Sequence, residues 1–246
     1  GFKGKPANML FNGMHGMGKT LLAATFAVEM GKKIGHPVPY IVYDCSEDTR
    51  EYALMGTSAL MPDGTTAYIP GPFPTALAMA NKSGLAILCA EEISALSPGA
   101  QKVFNRVTDW RRSLYVPQIG KPVRLEKDAR VIVIGTMNPS AYGGVYTLNP
   151  DLRSRFTERV VPLPTAEQER KILKIVCPYA KDSMIEMALI VANDSRTPST
   201  DYKLSTRDIV QLLENIEKMD EIEIPLTCIV DKFEGSDRDL IIDKID

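Results

Sequence analysis

Three features that would place this chain in a class outright are missing from it. No Cys-x-x-Cys pair occurs, and the four cysteines, Cys45, Cys89, Cys177 and Cys228, are scattered along 246 residues. That excludes a small disulfide-stapled scaffold and reads as reduced thiols in a cytosolic-type compartment. No apolar stretch reaches the roughly 18 residues of a membrane span, and no charged-then-apolar leader opens the sequence; a soluble, cytoplasmic protein is expected. A charge of one sign is also missing. The 29 Lys plus Arg face 31 Asp plus Glu, for a formal net charge of -2, so no global basic field marks a nucleic-acid binder, although local basic loops stay open. There is no internal repeat and no low-complexity tract. What remains is a length sufficient for one large domain, or a core domain with a small satellite, around a substantial apolar core. The first residue is Gly1 and the first strand follows within a few residues, so the sequence reads as trimmed from a longer chain.

Apolar runs alternate with helical patterns through the first two-thirds. Strands are expected at residues 8–12, 39–44, 85–90, 130–136 and 159–163, and helices at 19–33, 73–81 and 98–112. Short buried strands separated by helices imply an α/β fold, a parallel sheet covered on both faces. Beyond Pro162 and Pro164 only helical patterns remain, near 166–176, 181–192, 205–219 and 237–245. A domain boundary is therefore set at Pro164, dividing 1–163 from 164–246.

Between the first strand and the first helix stands Gly13-Met14-His15-Gly16-Met17-Gly18-Lys19-Thr20, which fits GxxxxGK[ST] in the context that motif requires. The glycines let backbone N–H groups curl around a β-phosphate at a helix N-terminus. Lys19 then suits the β- and γ-phosphates, and the Thr20 hydroxyl suits Mg²⁺. His15 and the two methionines read as loop filler.

The apolar run 85–90 leads straight into Glu91-Glu92, placing two carboxylates at the sheet edge where ligands of open parallel sheets bind. Glu91 is assigned to Mg²⁺ and Glu92 to polarising the attacking water. The usual pair is Asp-Glu, so Glu91 is one methylene longer than the common metal ligand. The strand 131–136 ends in Met137-Asn138-Pro139; taken alone Asn-Pro is turn chemistry, but in this order the Asn138 amide suits positioning of the nucleophile and the γ-phosphate. Leu152-Arg153-Ser154-Arg155-Phe156 offers two guanidiniums, with Arg155 preferred to Arg153 as the group that stabilises a transferring phosphoryl, supplied from a neighbouring subunit. In Leu204-Ser205-Thr206-Arg207 an N-cap precedes a helix whose first turn carries Arg207. A cation is disfavoured there by the helix dipole, which points to a phosphate.

This succession, GxxGxGKT, apolar strand plus Glu-Glu, Gly-Thr-Met-Asn-Pro, Pro-Asp-Leu-Arg-Ser-Arg-Phe and Leu-Ser-Thr-Arg, resembles the MoxR-type AAA+ ATPases, near the CbbQ/NorQ-like and dynein-related members of the helix-2-insert clade. The resemblance spans nearly the whole chain. It implies a P-loop αβα sandwich with a five-stranded parallel sheet over 1–163 and an all-helical lid over 164–246. It makes Gly13 to Thr20 Walker A, Glu91 and Glu92 Walker B, Asn138 sensor 1, Arg155 the arginine finger and Arg207 sensor 2. It further implies ATP and Mg²⁺ as cofactors, sites shared between subunits of a homo-oligomeric, commonly hexameric ring, and a protein substrate or an adaptor with a von Willebrand A-type domain.

Two segments read as hairpins, residues 60–68 around Asp63-Gly64 and residues 114–126 with Gly120 and Lys121. In the resembled family such inserts reach toward the pore, which makes Tyr68, Tyr115, Lys121 and Arg124 candidate substrate contacts; ordinary surface hairpins are the alternative. The functional expectation is an ATPase that remodels or activates a protein. A nucleic-acid translocase and a nucleotide-gated scaffold slowed by Glu91 are the competing readings.

Overall fold

The structure is a computed structural model describing residues 8–108, 113–139, 146–197, 200, 202–218 and 223–245. In chain order the elements are β1 (Met9–Asn12), α1 (Lys19–Ile34), β2 (Tyr40–Asp44), α2 (Glu51–Met55), β3 (Gly56–Leu60), β4 (Thr66–Pro70), α3 (Pro72–Ser83), β5 (Leu85–Glu91), α4 (Pro98–Thr108), β6 (Ser113–Val116), β7 (Lys121–Arg124), β8 (Arg130–Met137), α5 (Pro150–Arg153), β9 (Thr157–Val160), α6 (Ala166–Val176), α7 (Asp182–Ser195), α8 (Thr206–Lys218), α9 (Glu223–Val230) and α10 (Gly235–Ile245). Short 3-10 turns cover Ile93–Ala95 and Pro117–Ile119. β2, β5, β8, β1 and β9 form one sheet in that order, every pairing parallel. The fold is α/β, as the alternation of patterns requires.

The chain divides into two compact units. One takes the segment up to Gly13 together with Gly18–Val161, the other Met14–Met17 and Pro162–Asp246. In the first unit the central strands are apolar on both faces because helices cover both. Along β5, Ala86, Leu88 and Ala90 enter a core with Leu10, Leu54, Phe73, Ile93 and Phe104, while the alternate residues Ile87 and Cys89 join Phe11, Ala23, Ala27 and Ile134 beneath α1. Phe73 and Phe104 meet edge to face with ring centroids 4.8 Å apart. All four cysteines are free. Burial pushes the Cys89 thiol up to about 11 and the Cys45 thiol higher still, so both act as small core hydrophobes at neutral pH.

Several expected boundaries move. The last sheet strand lies at Thr157–Val160 and not at 159–163: backbone pairing with β1 sets its register, Met9 opposite Thr157 and Asn12 opposite Val160. Pro162 lacks the N–H that would extend it, and Val160 of this edge strand is 73% exposed. Helix α4 is described to Thr108, and the remainder of the expected 98–112 helix lies outside the described residues, as does Met219 at the end of the expected 205–219 helix. Helices α2 and α5 span only 5 and 4 residues, too short to leave a 3.6-residue period. In α9, Pro225 sits in the first turn, where a missing N–H costs nothing.

The expected hairpins form, β3 with β4 and β6 with β7, both antiparallel. At the first turn the Asp63 carboxylate accepts from the Thr65 amide at 2.9 Å and the Thr65 hydroxyl at 2.7 Å, an Asx-type closure. Tyr68 is not placed as a substrate contact. Its side chain packs against the core and its hydroxyl donates to the Met55 carbonyl, so it roots the hairpin. Leu60 is 76% exposed near the turn, and Tyr115, Lys121 and Arg124 are exposed on the second hairpin.

The second unit buries Leu173, Ile185, Leu189, Ile209, Leu213 and Phe233 among α6 to α10. The Thr165 hydroxyl and the Gln168 side chain close a capping box at the start of α6. Within this apolar interior Glu169 binds Arg196 through two hydrogen bonds of 2.6 and 2.9 Å, accepts from the Thr206 hydroxyl at 2.7 Å, and is 1% exposed. Removing one partner leaves the other charge buried and unpaired. Glu169→Ala is therefore expected to cost about 3–5 kcal/mol of unfolding free energy, measured by urea denaturation; a loss below about 1 kcal/mol, the scale of an exposed pair, would show that the pair is not held out of water.

Candidate active site

β5, β8 and β1 are neighbours, so their C-terminal ends lie side by side. The registers place Asn12 opposite Met137 and Ala90 opposite Gly135, which brings Gly13, Glu91, Glu92 and Asn138 to one edge of the sheet. The Gly13 amide continues the ladder to the Met137 carbonyl at 3.2 Å. The Lys19 ammonium donates to the Gly13 carbonyl at 2.8 Å and to Asn138 Oδ1 at 2.9 Å. Residues 119 positions apart in sequence are thus in direct contact.

The loop between β1 and α1 is shaped for an anion. Gly16 and Gly18 adopt φ of 70° and 72°, left-handed conformations in which a side chain is strained, and they turn the chain so that α1 begins at Lys19. The first turn of α1 holds no acidic residue, so no carboxylate within that turn offsets the positive end of the helix dipole. Thr20 is exposed. This cradle fits a nucleotide's phosphates. Met14–Met17 groups with the second unit. There His15 Nε2 stands 3.9 Å from the Asp208 carboxylate and its ring centroid 6.0 Å from that of Tyr202, partners that its reading as filler does not supply.

Glu91 ends β5, paired with Asp44 of β2. Glu92 follows with φ 50° and ψ 44°, the one non-glycine residue with positive φ among the described residues. A left-handed backbone at a residue with a Cβ costs about 1–2 kcal/mol, and its persistence implies that its surroundings enforce it. The Glu92 amide, turned out of the ladder, donates to the hydroxyl of Thr136 on β8 at 3.1 Å. Among the described residues no three His, Cys, Asp or Glu side chains gather as a metal cage. A donor set of one hydroxyl and one carboxylate, Thr20 and Glu91, fits Mg²⁺, which keeps water and phosphate oxygens in its shell.

The two candidate arginines have different partners. Arg153 makes two hydrogen bonds to Glu158, 3.0 and 2.6 Å, and Asn12 donates to the same carboxylate at 2.9 Å; Asn12 and Arg153 together hold the Glu158 carboxyl below the usual range. Arg155 lies 3.3 Å from Asp151, with its side chain 27% exposed. In the second unit Arg207 occupies the first turn of α8. Its neighbour Asp208 makes the helix start: the Ser205 amide donates to Asp208 at 2.8 Å and the Asp208 amide to the Ser205 hydroxyl at 3.4 Å. Burial works against the Asp208 charge, but Lys232 and the Ser205 hydroxyl and amide outweigh it and hold the carboxyl below its usual range. Sequence reasoning passed over Asp208, although Ser205-Thr206-Arg207-Asp208 carries the S-x-x-D spacing of a capping box.

The model of the AAA domain, dynein-related subfamily, matches residues 8–156, more than half of the chain. The protein belongs to this AAA family, a family of ATPases. The chain is 25% identical over 236 residues to the uncharacterized protein SH1500 of Staphylococcus haemolyticus, covering 92% of this chain and 84% of that one. It is 27% identical over 190 residues to the uncharacterized YojN of Bacillus subtilis, covering 76% of this chain and 58% of YojN. The AAA fold is shared with the crystal structure of a candidate ATPase from Cytophaga hutchinsonii, at a TM-score of 0.52 and 16% identity over 85% of this chain and 68% of that one. It is shared also with Hsp104 in its closed state with ATPγS and casein, at a TM-score of 0.60 and 21% identity over 86% of this chain and 40% of Hsp104. Among the described residues no helix is long and apolar enough to cross a membrane.

Proposed function

We propose that this AAA protein hydrolyses ATP at sites shared between copies in a homo-oligomeric ring, in the manner of the MoxR type, and uses the cycle to remodel a protein partner. The observation that carries the reading is the meeting of Lys19 and Asn138 at 2.9 Å beside the strained Glu92. A purely structural sheet edge has no reason to bring a lysine at a helix start, an amide and a left-handed carboxylate residue together. Residues 1–163 would form the nucleotide-binding domain and 164–246 the lid.

Bound Mg²⁺ and ATP would supply the divalent charge and the transferable γ-phosphoryl group. The residues around them divide the work. The amides of the Gly13–Thr20 loop and the Lys19 ammonium hold the phosphate oxygens, with Lys19 exchanging its contact to Gly13 for stronger charge-assisted ones. Thr20 and Glu91 hold the cation, and Glu91, at the end of a buried strand, has a fixed backbone from which its extra methylene must reach. Glu92 accepts the proton of the attacking water while Asn138 orients it. Arg155 from a neighbouring copy, and Arg207 from the lid, stabilise charge on the transferred group.

A protein partner is favoured over nucleic acid by the first hairpin. Its turn carries Asp63 and exposes Leu60 and Met61, apolar contacts beside a negative charge, which suit a polypeptide better than a polyanion. An adaptor with a von Willebrand A-type domain belongs to the same proposal.

If Arg155 acts across an interface, ATP turnover per subunit should rise with protein concentration, and Arg155→Ala should lower it about 10³-fold or more. Mixing Arg155→Ala with Glu92→Gln should restore part of the activity, because some interfaces then combine an intact Glu92 with an intact Arg155. A concentration-independent rate, or no recovery in the mixture, would refute the shared site.

A further inference from the structure

We infer that Thr136 is a positioning residue for Glu92, setting the place of the general base through the backbone and tying it to Asn138, the residue that follows the end of the same strand. This rests on the proposal that Glu92 is the base, and its test separates the two.

The β5–β8 ladder runs in register as far as Ala90 opposite Gly135. Beyond it the two strands part, because the chain after β5 must turn out of the sheet into the 3-10 turn at Ile93–Ala95. That turn puts Glu92 in the left-handed region, and a backbone amide so rotated has left the ladder. The acceptor that receives it is a side chain, Thr136 Oγ1, at 3.1 Å. Thr136 is 2% exposed, so its β-branched side chain is fixed by packing and has little rotamer freedom. The hydroxyl is thus a rigid acceptor at the one non-glycine residue whose backbone conformation is intrinsically unfavourable among the described residues.

Two consequences give the contact a mechanistic meaning. First, the direction in which the Glu92 carboxylate leaves the backbone is determined by φ and ψ at that residue, so the acceptor that holds those angles also aims the side chain. A misplacement of about 1 Å in a reacting group can cost about 10²-fold in rate. Second, Thr136 lies two residues before Asn138, which touches Lys19. A rigid strand end therefore carries the Glu92 acceptor and the γ-phosphate-facing amide together, so that a shift of β8 on nucleotide binding moves both. Neither the motif spacing nor the pairing of β5 with β8 contains this link, because it runs from a side chain to a backbone amide 44 residues away.

The test compares Thr136→Val, which keeps the shape and removes the acceptor, with Thr136→Ser, which keeps the acceptor. Each is measured for ATP turnover and for affinity toward a fluorescent ADP analogue, in the intact protein. Thr136→Val should lower kcat about 10-fold to 100-fold with nucleotide affinity changed less than about threefold, and Thr136→Ser should recover most of the rate. In a Glu92→Gln background Thr136→Val should add almost nothing, since residues that act as a unit are not additive. A merely structural role would instead lower the melting temperature and leave kcat at a temperature well below it. If Thr136→Val does not fold, Thr136→Ala against Thr136→Ser decides the same question. Unchanged turnover in Thr136→Val, an equal fall in Thr136→Ser, or a multiplicative loss in the double variant would each overturn the inference. If Glu92→Gln itself keeps full turnover, the assignment of the base fails and not the contact.

Discussion

Lys19→Ala should abolish measurable ATP binding while leaving the fold as stable as before. The ammonium now sits between the Gly13 carbonyl and Asn138, at the N-terminal end of α1, where the helix dipole disfavours a cation. Removing it relieves that repulsion and, among the described residues, gives up hydrogen bonds to the neutral acceptors Gly13 and Asn138, so the unliganded protein should keep its melting temperature within a few degrees. With phosphate present the balance reverses. A charge-assisted contact is worth about 1.5–3 kcal/mol, and the loss of contacts to two phosphates should weaken the dissociation constant at least about 100-fold. Titration with a fluorescent nucleotide, paired with a thermal melt, reads both signs. Retained affinity would remove the assignment of residues 13–20 as a phosphate loop; a collapsed melt would mean that Lys19 is structural.

Glu92→Gln should give the opposite pattern, a protein that binds ATP with near-native affinity and hydrolyses it about 10² to 10⁴ times more slowly. Glutamine has nearly the same shape and the same backbone requirements, so the left-handed turn and its bond to Thr136 have no reason to change. What disappears is the capacity to take a proton from water. Single-turnover measurement of phosphate release separates this from slow product release, and turnover within about twofold of the parent would refute the role of Glu92 as base. Because the substitution holds the nucleotide without consuming it, it is also the form in which a ring and any bound partner should be most populated.

The parts of the site that could be read in the sequence are those whose chemistry is local. Gly13 to Thr20 is a contiguous motif whose strand and helix flank it directly, and Glu91-Glu92 and Asn138 each follow a short apolar run whose length reads as a buried strand. Their convergence follows from topology, since strands that sit side by side must end side by side. The sequence is silent where a role depends on a partner far along the chain. Thr136 looks like one more β-branched strand residue until the amide of Glu92 turns toward it. Tyr68 looks like a hairpin contact until its hydroxyl finds the Met55 carbonyl, and α2 and α5 are stabilised by what they pack against in a span too short for periodicity. Asp208 is the instructive exception. The N-cap at Ser205 is legible in the sequence, and so is the spacing that makes Asp208 its reciprocal partner, but the Lys232 contact that holds the Asp208 charge lies 24 residues on.

The position of β1 in the sheet bears on how the protein comes into being. β1 precedes the other four strands of its sheet in the chain, yet its two hydrogen-bonded neighbours are β8 and β9, with Met9 opposite Ile134 and Thr157. None of the elements between them supplies it with a strand partner. During synthesis the segment that leads into the phosphate loop must therefore wait, an apolar ribbon with both edges open, until nearly the whole first unit has left the ribosome. The strand that leads into the nucleotide cradle therefore pairs only after β8 is made, although it precedes every other strand of that sheet in the chain, and chains interrupted before β8 should emerge as sticky fragments that bind chaperones and no ATP.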